Sequence, residues 1–368
     1  MWAWWILGAP IGLYVLWTVY LALVLRWEDD ATVGLGYYGQ DPAGRNRFNQ
    51  RLRLHARLLA PILAVNSRLA KVDFRRVRVQ HQGVSFPAGS CDDASTARAT
   101  SYQPRPGDIF VVTQMKCGTT WMEHVVYEVL NRGNGNLVES GTALYAVAPW
   151  LEGRRSVPID QAPTHGSERP SRIIKSHLPA ALCPSAPGAR FIYVARHPVS
   201  CFASCVDFVA TNVGAMAPSM TAYEEWFRSS DLMWWGTWTD HVKGWWARSR
   251  RDPNVLFVHF EEMKRDLAGI VRRVVEFLSM EPLTDAELAR VVEKCGFAYM
   301  QKHQDNFEMH PPHVLQTNAE LFVRGTADRH MDVPDDLRER TLSWAAGEMS
   351  DSDYPLAQTY PDVAAARR

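Results

Sequence analysis

The sequence predicts a three-layer α/β domain with a central parallel sheet and a P-loop-like phosphate-binding loop, preceded by an N-terminal transmembrane helix. Two observations support this prediction. From Asp108 onward, short apolar segments of strand length alternate with segments of helical periodicity. This alternation is typical of a parallel sheet covered by helices on both faces. At the other end of the chain, the stretch from Trp2 to Leu25 contains no charged residue.

The strands and helices of the main domain are predicted from apolar runs and their flanking residues. Strands are predicted at 108–113, 172–176, 190–195 and 255–259. Helices are predicted at 119–131, 199–210, 261–279 and 284–294.

The apolar N-terminal stretch predicts a membrane anchor over residues 1–26. At a rise of about 1.5 Å per residue, the helix is long enough to cross a hydrocarbon core of about 30 Å. Tryptophans lie at both ends, as at membrane interfaces, with Trp27 at the C-terminal end. A cleaved signal peptide is the alternative, although it would have a basic start, a shorter apolar stretch and a small-residue cleavage site.

The distribution of basic residues predicts the orientation of this anchor. No Lys or Arg precedes the apolar stretch, whereas nine Arg and one Lys lie between Arg45 and Arg78, with Asp73 as the only acid. Cytoplasmic segments next to a membrane span carry an excess of Lys and Arg. We therefore expect a single-pass membrane protein whose C-terminal bulk lies in the cytoplasm.

Residues 27–103 are predicted to form basic juxtamembrane helices and a linker. Apolar residues at near-helical spacing predict one or two short helices that break near Pro61. Such a helix either lies on an anionic leaflet or packs its apolar face on the main domain, and both possibilities stay open. Residues 84–107 are rich in Ser, Ala, Pro and Gly and predict a linker or surface loop. The catalytic domain is then expected over 104–368.

Composition argues against several classes of protein. The 40 basic and 40 acidic residues balance, so a nucleic-acid partner is not expected. Six cysteines without a Cys-x-x-Cys pair argue against a zinc site and against a disulfide framework. Four histidines near the C-terminus lack metal-ligand spacing, and no metal is expected: His303, His310, His313 and His330. Oligomeric state does not follow from the sequence.

A strand-to-helix junction at 113–121 predicts a phosphate site. Such junctions present unpaired backbone N–H groups and the positive end of a helix dipole. Gly118 allows a tight backbone path, Thr119 and Thr120 add hydroxyl donors, and Lys116 adds positive charge. A Walker A motif has its Lys directly after the last Gly. Here Lys116 precedes Gly118, which argues against ordinary ATPase or GTPase chemistry.

Two further strand ends carry residues suited to group transfer. Arg196 ends one predicted strand and Ser204 follows on the next helix, a pair that can bind a second phosphate. The run Lys175-Ser-His177 ends another strand and presents an imidazole, which can act as a general base near neutral pH.

These segments together resemble the cytosolic-type sulfotransferase family, in the family's order and with comparable spacing over residues ~104 to ~330. The anchor and the first 100 residues have no counterpart in that resemblance. It is carried by the loop 116–121, Ile-Lys-Ser-His-Leu-Pro at 174–179, Tyr-Val-Ala-Arg at 193–196 with Ser204, Gly-Thr-Trp-Thr-Asp-His-Val-Lys-Gly-Trp-Trp at 236–246, and Phe-Glu-Glu-Met-Lys at 260–264.

The resemblance implies a role for each matching residue and PAPS as the sulfuryl donor, with PAP as the product. His177 would deprotonate the acceptor, and Lys116 would stabilise the leaving oxygen, so that His177, Lys116 and Lys175 form the expected catalytic set. The 5′-phosphate would be bound by the loop, the adenine flanked by aromatic rings, and the 3′-phosphate bound by a strand-end arginine and a helix serine. The expected donor-binding residues are Lys116, Cys117, Gly118, Thr119, Thr120, Trp121, Arg196, Ser204, Phe260, Phe297, Arg324 and Gly325.

Three positions depart from the family pattern. Cys117 replaces the usual Ser and weakens one side-chain hydrogen bond. Phe260 stands where the family usually has a Tyr near the base. The late Arg-Lys-Gly element is represented only by Arg324 and Gly325, with Arg329 as a candidate further on.

Two alternative functions remain at this stage, a P-loop nucleotide kinase or phosphotransferase and a non-catalytic, membrane-tethered nucleotide-binding protein. The expected acceptor is a small apolar or lipid-like hydroxyl or amine compound at the membrane. A chain that begins near Asp41 is expected to keep activity on soluble phenols. Five tryptophans are expected to pack in the core, with an acceptor-pocket wall or a membrane contact as the alternative: Trp234, Trp235, Trp238, Trp245 and Trp246.

Overall fold

The structure, a computed structural model, describes residues 2–32, 36–167, 169–308, 311–316 and 333–366, with side chains from residue 8 onward. The main sheet has four parallel strands in the order β4-β3-β5-β6. A separate antiparallel hairpin, β1-β2, precedes them in the chain. The strands are β1 Arg78–His81, β2 Val84–Pro87, β3 Asp108–Thr113, β4 Arg172–Ser176, β5 Arg190–Ala195 and β6 Val255–His259.

Alternating residues of the central strands face two separate apolar cores. In β3, Phe110 and Val112 belong to one core, whereas Ile109 and Val111 belong to the other. This is the period of two that a strand buried on both faces imposes. Each core is closed by helices, so the predicted three-layer α/β fold with a central parallel sheet is confirmed.

Helices occupy most of the remaining chain. The helices before β4 are α1 Trp2–Ala31, α2 Pro42–Leu69, α3 Asp93–Thr100, α4 Thr119–Leu130 and α5 Leu144–Val147. Those that follow β5 and β6 are α6 Pro198–Val213, α7 Met220–Arg228, α8 Trp238–Ser249, α9 Phe260–Arg265, α10 Leu267–Phe277, α11 Asp285–Lys294, α12 Phe297–Lys302, α13 Asp335–Glu348, α14 Leu356–Thr359 and α15 Pro361–Ala365.

The first two helices form an antiparallel pair, which we call the N-terminal hairpin. The hydroxyl of Tyr14 donates to the side chain of Asn66 at 2.7 Å. Farther along, the ring of Trp27 stacks on Phe48 with centroids 5.7 Å apart. Contacts between early residues of α1 and late residues of α2 fix the opposite directions of the two helices.

Two regions differ from the prediction. Residues 84–107 are not a linker, because β2 and α3 lie there. Phe86, Cys91 and Ala99 are buried in the core that contains Phe110 and Val112, which we call the main core. The composition of this segment did not predict these elements, because only a few of its residues are apolar and pack in the core. In addition, α2 continues through Pro61 without a break. Burial of Leu59 and Ile62 on either side of the proline holds the helix together there.

The predicted helix over 261–279 is two helices, α9 and α10. Asp266 separates them, and its side chain accepts a hydrogen bond from the backbone N–H of Gly269 at 2.8 Å. This is N-capping of the second helix, which an Asp in the middle of a periodic segment can provide. The helix predicted at 199–210 is longer, extending over Pro198–Val213.

Two helices of the described chain are long and apolar enough to cross a membrane by length and composition, Gly8–Ala31 and Pro198–Met216. The second contributes Val199, Phe202 and Cys205 to the main core. Only the first exposes a continuous apolar surface, which includes Ile11, Leu16, Val19 and Leu23.

Candidate active site

The loop between β3 and α4, residues 114–118, has the geometry of an anion site; we call it the phosphate loop. Lys116 and Gly118 both have positive φ, at 65° and 101°. A Cβ atom on Gly118 would lie 2.8 Å from the ring of Phe260, so a larger residue would not fit. No side chain caps the start of α4. Its first N–H groups are therefore available to an anion.

His177 lies beside this loop at the end of β4 and is fully buried. Its Nδ1 atom is 2.9 Å from the backbone carbonyl oxygen of Thr113, the last residue of β3. A carbonyl can only accept, so Nδ1 carries the proton and Nε2 keeps the lone pair that a base requires. Burial, together with the charge of Lys175, lowers the pKa of His177 well below 6.5. The imidazole is therefore neutral near pH 7.

Backbone contacts of His177 fix its position. Its N–H donates to the carboxylate of Glu152 at 2.6 Å, and the same carboxylate accepts from the hydroxyl of Ser176 at 3.0 Å. Its carbonyl oxygen lies 2.9 Å from Nε2 of His241, which donates to it. Glu152 and His241 were not anticipated from the sequence. No local pattern separates Glu152 from a surface acid, and only the β-bridge between Trp150 and Lys175 brings it to this site.

Aromatic rings surround the ammonium group of Lys175 in β4. The ammonium of Lys175 lies 4.2 Å from the ring centroid of Trp150 and 4.8 Å from that of Tyr145. Burial lowers the pKa of Lys175, and the nearby carboxyl groups of Glu123 and Glu152 oppose that shift. Lys175 thus supplies a positive charge within a largely apolar wall.

The tryptophans near α8 divide between the two roles considered from the sequence. Trp238 and Trp245 are fully buried in the core, as expected. Trp235 is also buried, but its ring lies 4.7 Å from the imidazole of His177. The aromatic stretch therefore contributes both to the core and to the candidate active site.

Arg196 meets the phosphate loop where β5 ends. Its Nη1 donates to the backbone carbonyl oxygen of Lys116 at 3.0 Å, and its guanidinium lies 4.4 Å above the ring of Phe260. The Nε atom is buried and has no hydrogen-bond partner among the described residues. An unpaired buried N–H of a guanidinium is suited to a phosphate oxygen.

Ser204 lies on the face of α6 that contacts the same loop. On that face, Cys201 approaches Cys117 with 3.6 Å between the sulfur atoms, and the ring of Phe208 lies 4.7 Å from the ammonium of Lys116. Residues three and four apart share a helix face, which places Ser204 with Cys201 and Phe208. Arg196 and Ser204 are thereby brought to one side of the phosphate loop.

The two rings expected to flank the adenine are also brought near each other. The indole N–H of Trp121 donates to the carbonyl oxygen of Cys295 at 2.8 Å. The ammonium of Lys264 lies 5.8 Å from the ring centroid of Trp121 and 5.6 Å from that of Phe297. Phe260 packs against Trp121 with centroids 5.4 Å apart, on the phosphate-loop side of the site.

The hydroxyls of Thr119 and Thr120, which were expected to bind the donor, hydrogen bond within the protein. Thr119 hydrogen bonds through its hydroxyl to that of Thr113 at 2.7 Å, and the hydroxyl of Thr120 lies 3.0 Å from that of Tyr145. These two side chains therefore order the loop, leaving backbone N–H groups for the ligand. Arg324 and Gly325, with the candidate Arg329, lie outside the described residues.

Comparison with known proteins agrees with this geometry. The family model for the sulfotransferase domain matches residues 106–351. Mouse sulfotransferase 2B1 is 33% identical over 254 residues, covering 67% of this chain and 72% of the relative. Mouse sulfotransferase 1E1 is 30% identical over 244 residues, covering 64% of this chain and 81% of the relative.

Solved structures with the same fold include two that hold a nucleotide product. A retinol dehydratase in complex with androsterone and the inactive cofactor PAP has a TM-score of 0.60 at 19% identity, covering 78% of this chain and 97% of the other. Mouse sulfotransferase SULT7A1 complexed with PAP has a TM-score of 0.57 at 22% identity, covering 75% and 95%.

Proposed function

The chain belongs to the sulfotransferase family, and we propose that it transfers a sulfuryl group from PAPS to the hydroxyl or amine of a small apolar, membrane-associated acceptor. Membership of this family makes the chain a sulfuryl transferase and sets aside the phosphotransferase and non-catalytic alternatives. The observation that carries the proposal is the hydrogen bond from His177 to Thr113, which joins a neutral base to the phosphate loop.

The residues of the chain fit PAPS as the donor. The uncapped start of α4 suits the 5′-phosphate, and the missing side chain at Gly118 lets the ring of Phe260 pack directly against the phosphate loop. The unpaired Nε of Arg196, with Ser204 on the neighbouring helix, suits the 3′-phosphate that distinguishes this nucleotide from ATP. PAPS supplies the activated sulfuryl group.

The base and the charges then act on the acceptor. Nε2 of His177 takes the proton from the acceptor as its oxygen or nitrogen attacks the sulfur, while Nδ1 stays bonded to Thr113. The bond between the sulfur and the 5′-phosphate oxygen breaks in the same step, and PAP leaves with the negative charge. Lys116 and Lys175 provide positive charge beside the developing negative charge. Lys175 is fully buried, and charges interact more strongly in the protein interior than in water, so its position beside the reacting group contributes to the rate.

The division of the chain and its membrane attachment are part of the same proposal. The anchor would be residues 1–26, followed by a juxtamembrane segment that contains α2 and then by the catalytic domain on the cytoplasmic side. The strands β1 and β2 and the helix α3 would belong to the catalytic domain, because Phe86 and Ala99 lie in its core. The exposed apolar side chains of α1 support the anchor, and α2 adds Leu54, Leu58 and Val65 facing outward. The nine arginines between 45 and 78 support the cytoplasmic orientation.

A transfer assay tests the function. The full chain in vesicles is incubated with PAPS labelled in its sulfuryl group and with an extract of membrane lipids. We expect label to appear in an organic-extractable product in the presence of the wild-type chain. A matched reaction with the exposed-surface variant Arg272→Ala should proceed equally. If no acceptor in the lipid extract and no simple phenol becomes labelled, the proposal fails.

A further inference from the structure

The peptide group that joins Arg196 to His197 is held from both sides. The indole N–H of Trp238 donates to the carbonyl oxygen of Arg196 at 2.8 Å. The carboxylate of Glu261 accepts from the backbone N–H of His197 at 3.0 Å. This peptide group lies just after strand β5, and the guanidinium of Arg196 extends from it to the phosphate loop. Side chains from two helices, α8 and α9, therefore fix the point from which Arg196 reaches the donor site.

A late segment of the chain, residues 354–363, contacts both of these side chains; we call it the strand-end clamp. The hydroxyl of Tyr360 donates to the other carboxylate oxygen of Glu261 at 3.3 Å. Its ring lies 6.2 Å from that of Trp238 and meets the imidazole of His197 edge-on, with centroids 5.2 Å apart. Tyr360 thus contacts three side chains that surround the peptide group after Arg196.

The strand-end clamp has a second contact with His197. Nε2 of the imidazole donates to the carboxylate of Asp362 at 3.0 Å. The next residue, Val363, is fully buried in the main core and attaches the clamp to the domain. At the end of the neighbouring strand β6, the hydroxyl of Tyr354 lies 2.9 Å from Nε2 of His259. The clamp therefore covers the carboxyl ends of two adjacent strands.

We propose that the strand-end clamp positions Arg196 for the 3′-phosphate. Tyr360 and Asp362 are then positioning residues that set the preference for PAPS and PAP over nucleotides without that phosphate. This inference rests on the proposed use of Arg196 in donor binding. A guanidinium binds a phosphate best in a narrow range of directions, so a fixed backbone raises the affinity. The group whose direction the clamp preserves is the buried Nε of Arg196, which has no hydrogen-bond partner among the described residues.

Calorimetry with PAP and with 5′-AMP on variants of the full chain tests the proposal. Tyr360→Phe removes one hydrogen bond and keeps the buried ring, and Asp362→Ala removes another at a half-exposed side chain, so both variants should fold. The variant with both changes should raise the Kd for PAP about tenfold, the effect of two lost hydrogen bonds. The Kd for 5′-AMP should stay within about twofold, because the start of α4 is untouched. Gln358→Ala, exposed on α14, should change neither value.

A double-mutant cycle with Arg196→Ala separates positioning from a general loss of structure. Because the clamp acts through Arg196, adding Tyr360→Phe and Asp362→Ala to Arg196→Ala should leave the Kd for PAP within about twofold of that of Arg196→Ala. A tenfold loss that persists in the Arg196→Ala chain would overturn the proposal. So would an equal rise in the Kd for both nucleotides when Arg196 is present.

The same measurements separate this inference from the proposed function. A preference for PAP that depends on Tyr360 and Asp362, without any labelled product in the transfer assay, would contradict the proposed acceptor and keep the clamp. Equal Kd values for PAP and 5′-AMP in the wild-type chain would overturn the role of Arg196 at the 3′-phosphate, and the clamp with it.

Discussion

His177 and Thr113 are joined by a hydrogen bond of 2.9 Å between the imidazole Nδ1 and the backbone carbonyl oxygen. Thr113 ends the central strand and opens the phosphate loop, so the base and the donor site share one fixed point. The bond sets the tautomer of the imidazole and leaves the lone pair of Nε2 to take a proton. This relationship makes the catalytic role of His177 testable apart from donor binding.

Replacing His177 by Ala should lower kcat by about 10²–10⁴-fold, the usual contribution of a general base. Calorimetry should still detect PAP binding, because the start of α4 and Arg196 remain in place. Near-wild-type turnover in His177→Ala would remove this residue from the mechanism.

The pH dependence of kcat/KM should show that the base is neutral well into the acid range. The pKa of His177 is lowered by burial and by the charge of Lys175. A lowered pKa means that protonation, which inactivates a base, occurs only at lower pH than 6.5. The rate should therefore stay level from about pH 8 to below pH 6.5 and fall only at a clearly lower pH. An acid limb centred at or above 6.5 would contradict this assignment.

Arg196→Ala should remove the preference for PAP over 5′-AMP. The guanidinium is the buried group with an unpaired N–H beside the phosphate loop, and a charged hydrogen bond typically contributes about 1.5–3 kcal/mol. Calorimetry should give a much lower Kd for PAP than for 5′-AMP with the wild-type chain, and similar values with the variant. Arg272→Ala, at an exposed position, serves as the control. Equal affinities in the wild type would argue against a 3′-phosphate site.

Glu152→Gln should lower kcat more than it changes the KM for PAPS. Glu152 accepts from two donors at the end of β4, and an amide puts an NH₂ group against one of them. We expect the free energy of unfolding to fall by about 1–3 kcal/mol. Thermal unfolding measured with and without PAP would separate lost stability from a displaced base. A change confined to stability, with kcat intact, would limit Glu152 to a structural role.

Membrane attachment should depend on the exposed face of α1. The side chains of Leu16 and Val19 are 67% and 52% exposed, so the fold does not depend on burying them. The variant with Leu16→Arg and Val19→Arg places two charges in the apolar helix, each costing about 2.5–3.5 kcal/mol at the centre of a membrane span. We expect this double variant to be absent from the vesicle fraction that floats in a density gradient. Met220→Arg, at an exposed position on α7, should float with the vesicles as the wild-type chain does. Flotation of both variants alike would disprove the anchor.

The sequence indicated the parts of the candidate site whose residues lie close together in the chain. The segment from Lys116 to Thr120 combines a cation, a glycine and a helix start within five positions. His177 follows its strand directly, and so does Arg196. Such local patterns favour a strand, a turn or a helix at defined positions, which is why the fold class was predicted correctly.

The tertiary structure decided what depends on contacts between distant segments. Glu152 reaches His177 only because Trp150 pairs with Lys175 across 25 positions of the chain. The hydrogen bond between Asp29 and Arg154 joins residues 125 positions apart in the chain, and no local sequence pattern predicts it. Residues 84–100 form β2 and α3 because Phe86 and Ala99 pack in a core whose other residues come mostly from later in the chain. Burial in such a core is a property of the assembled chain, and it outweighs local composition in determining what these segments become.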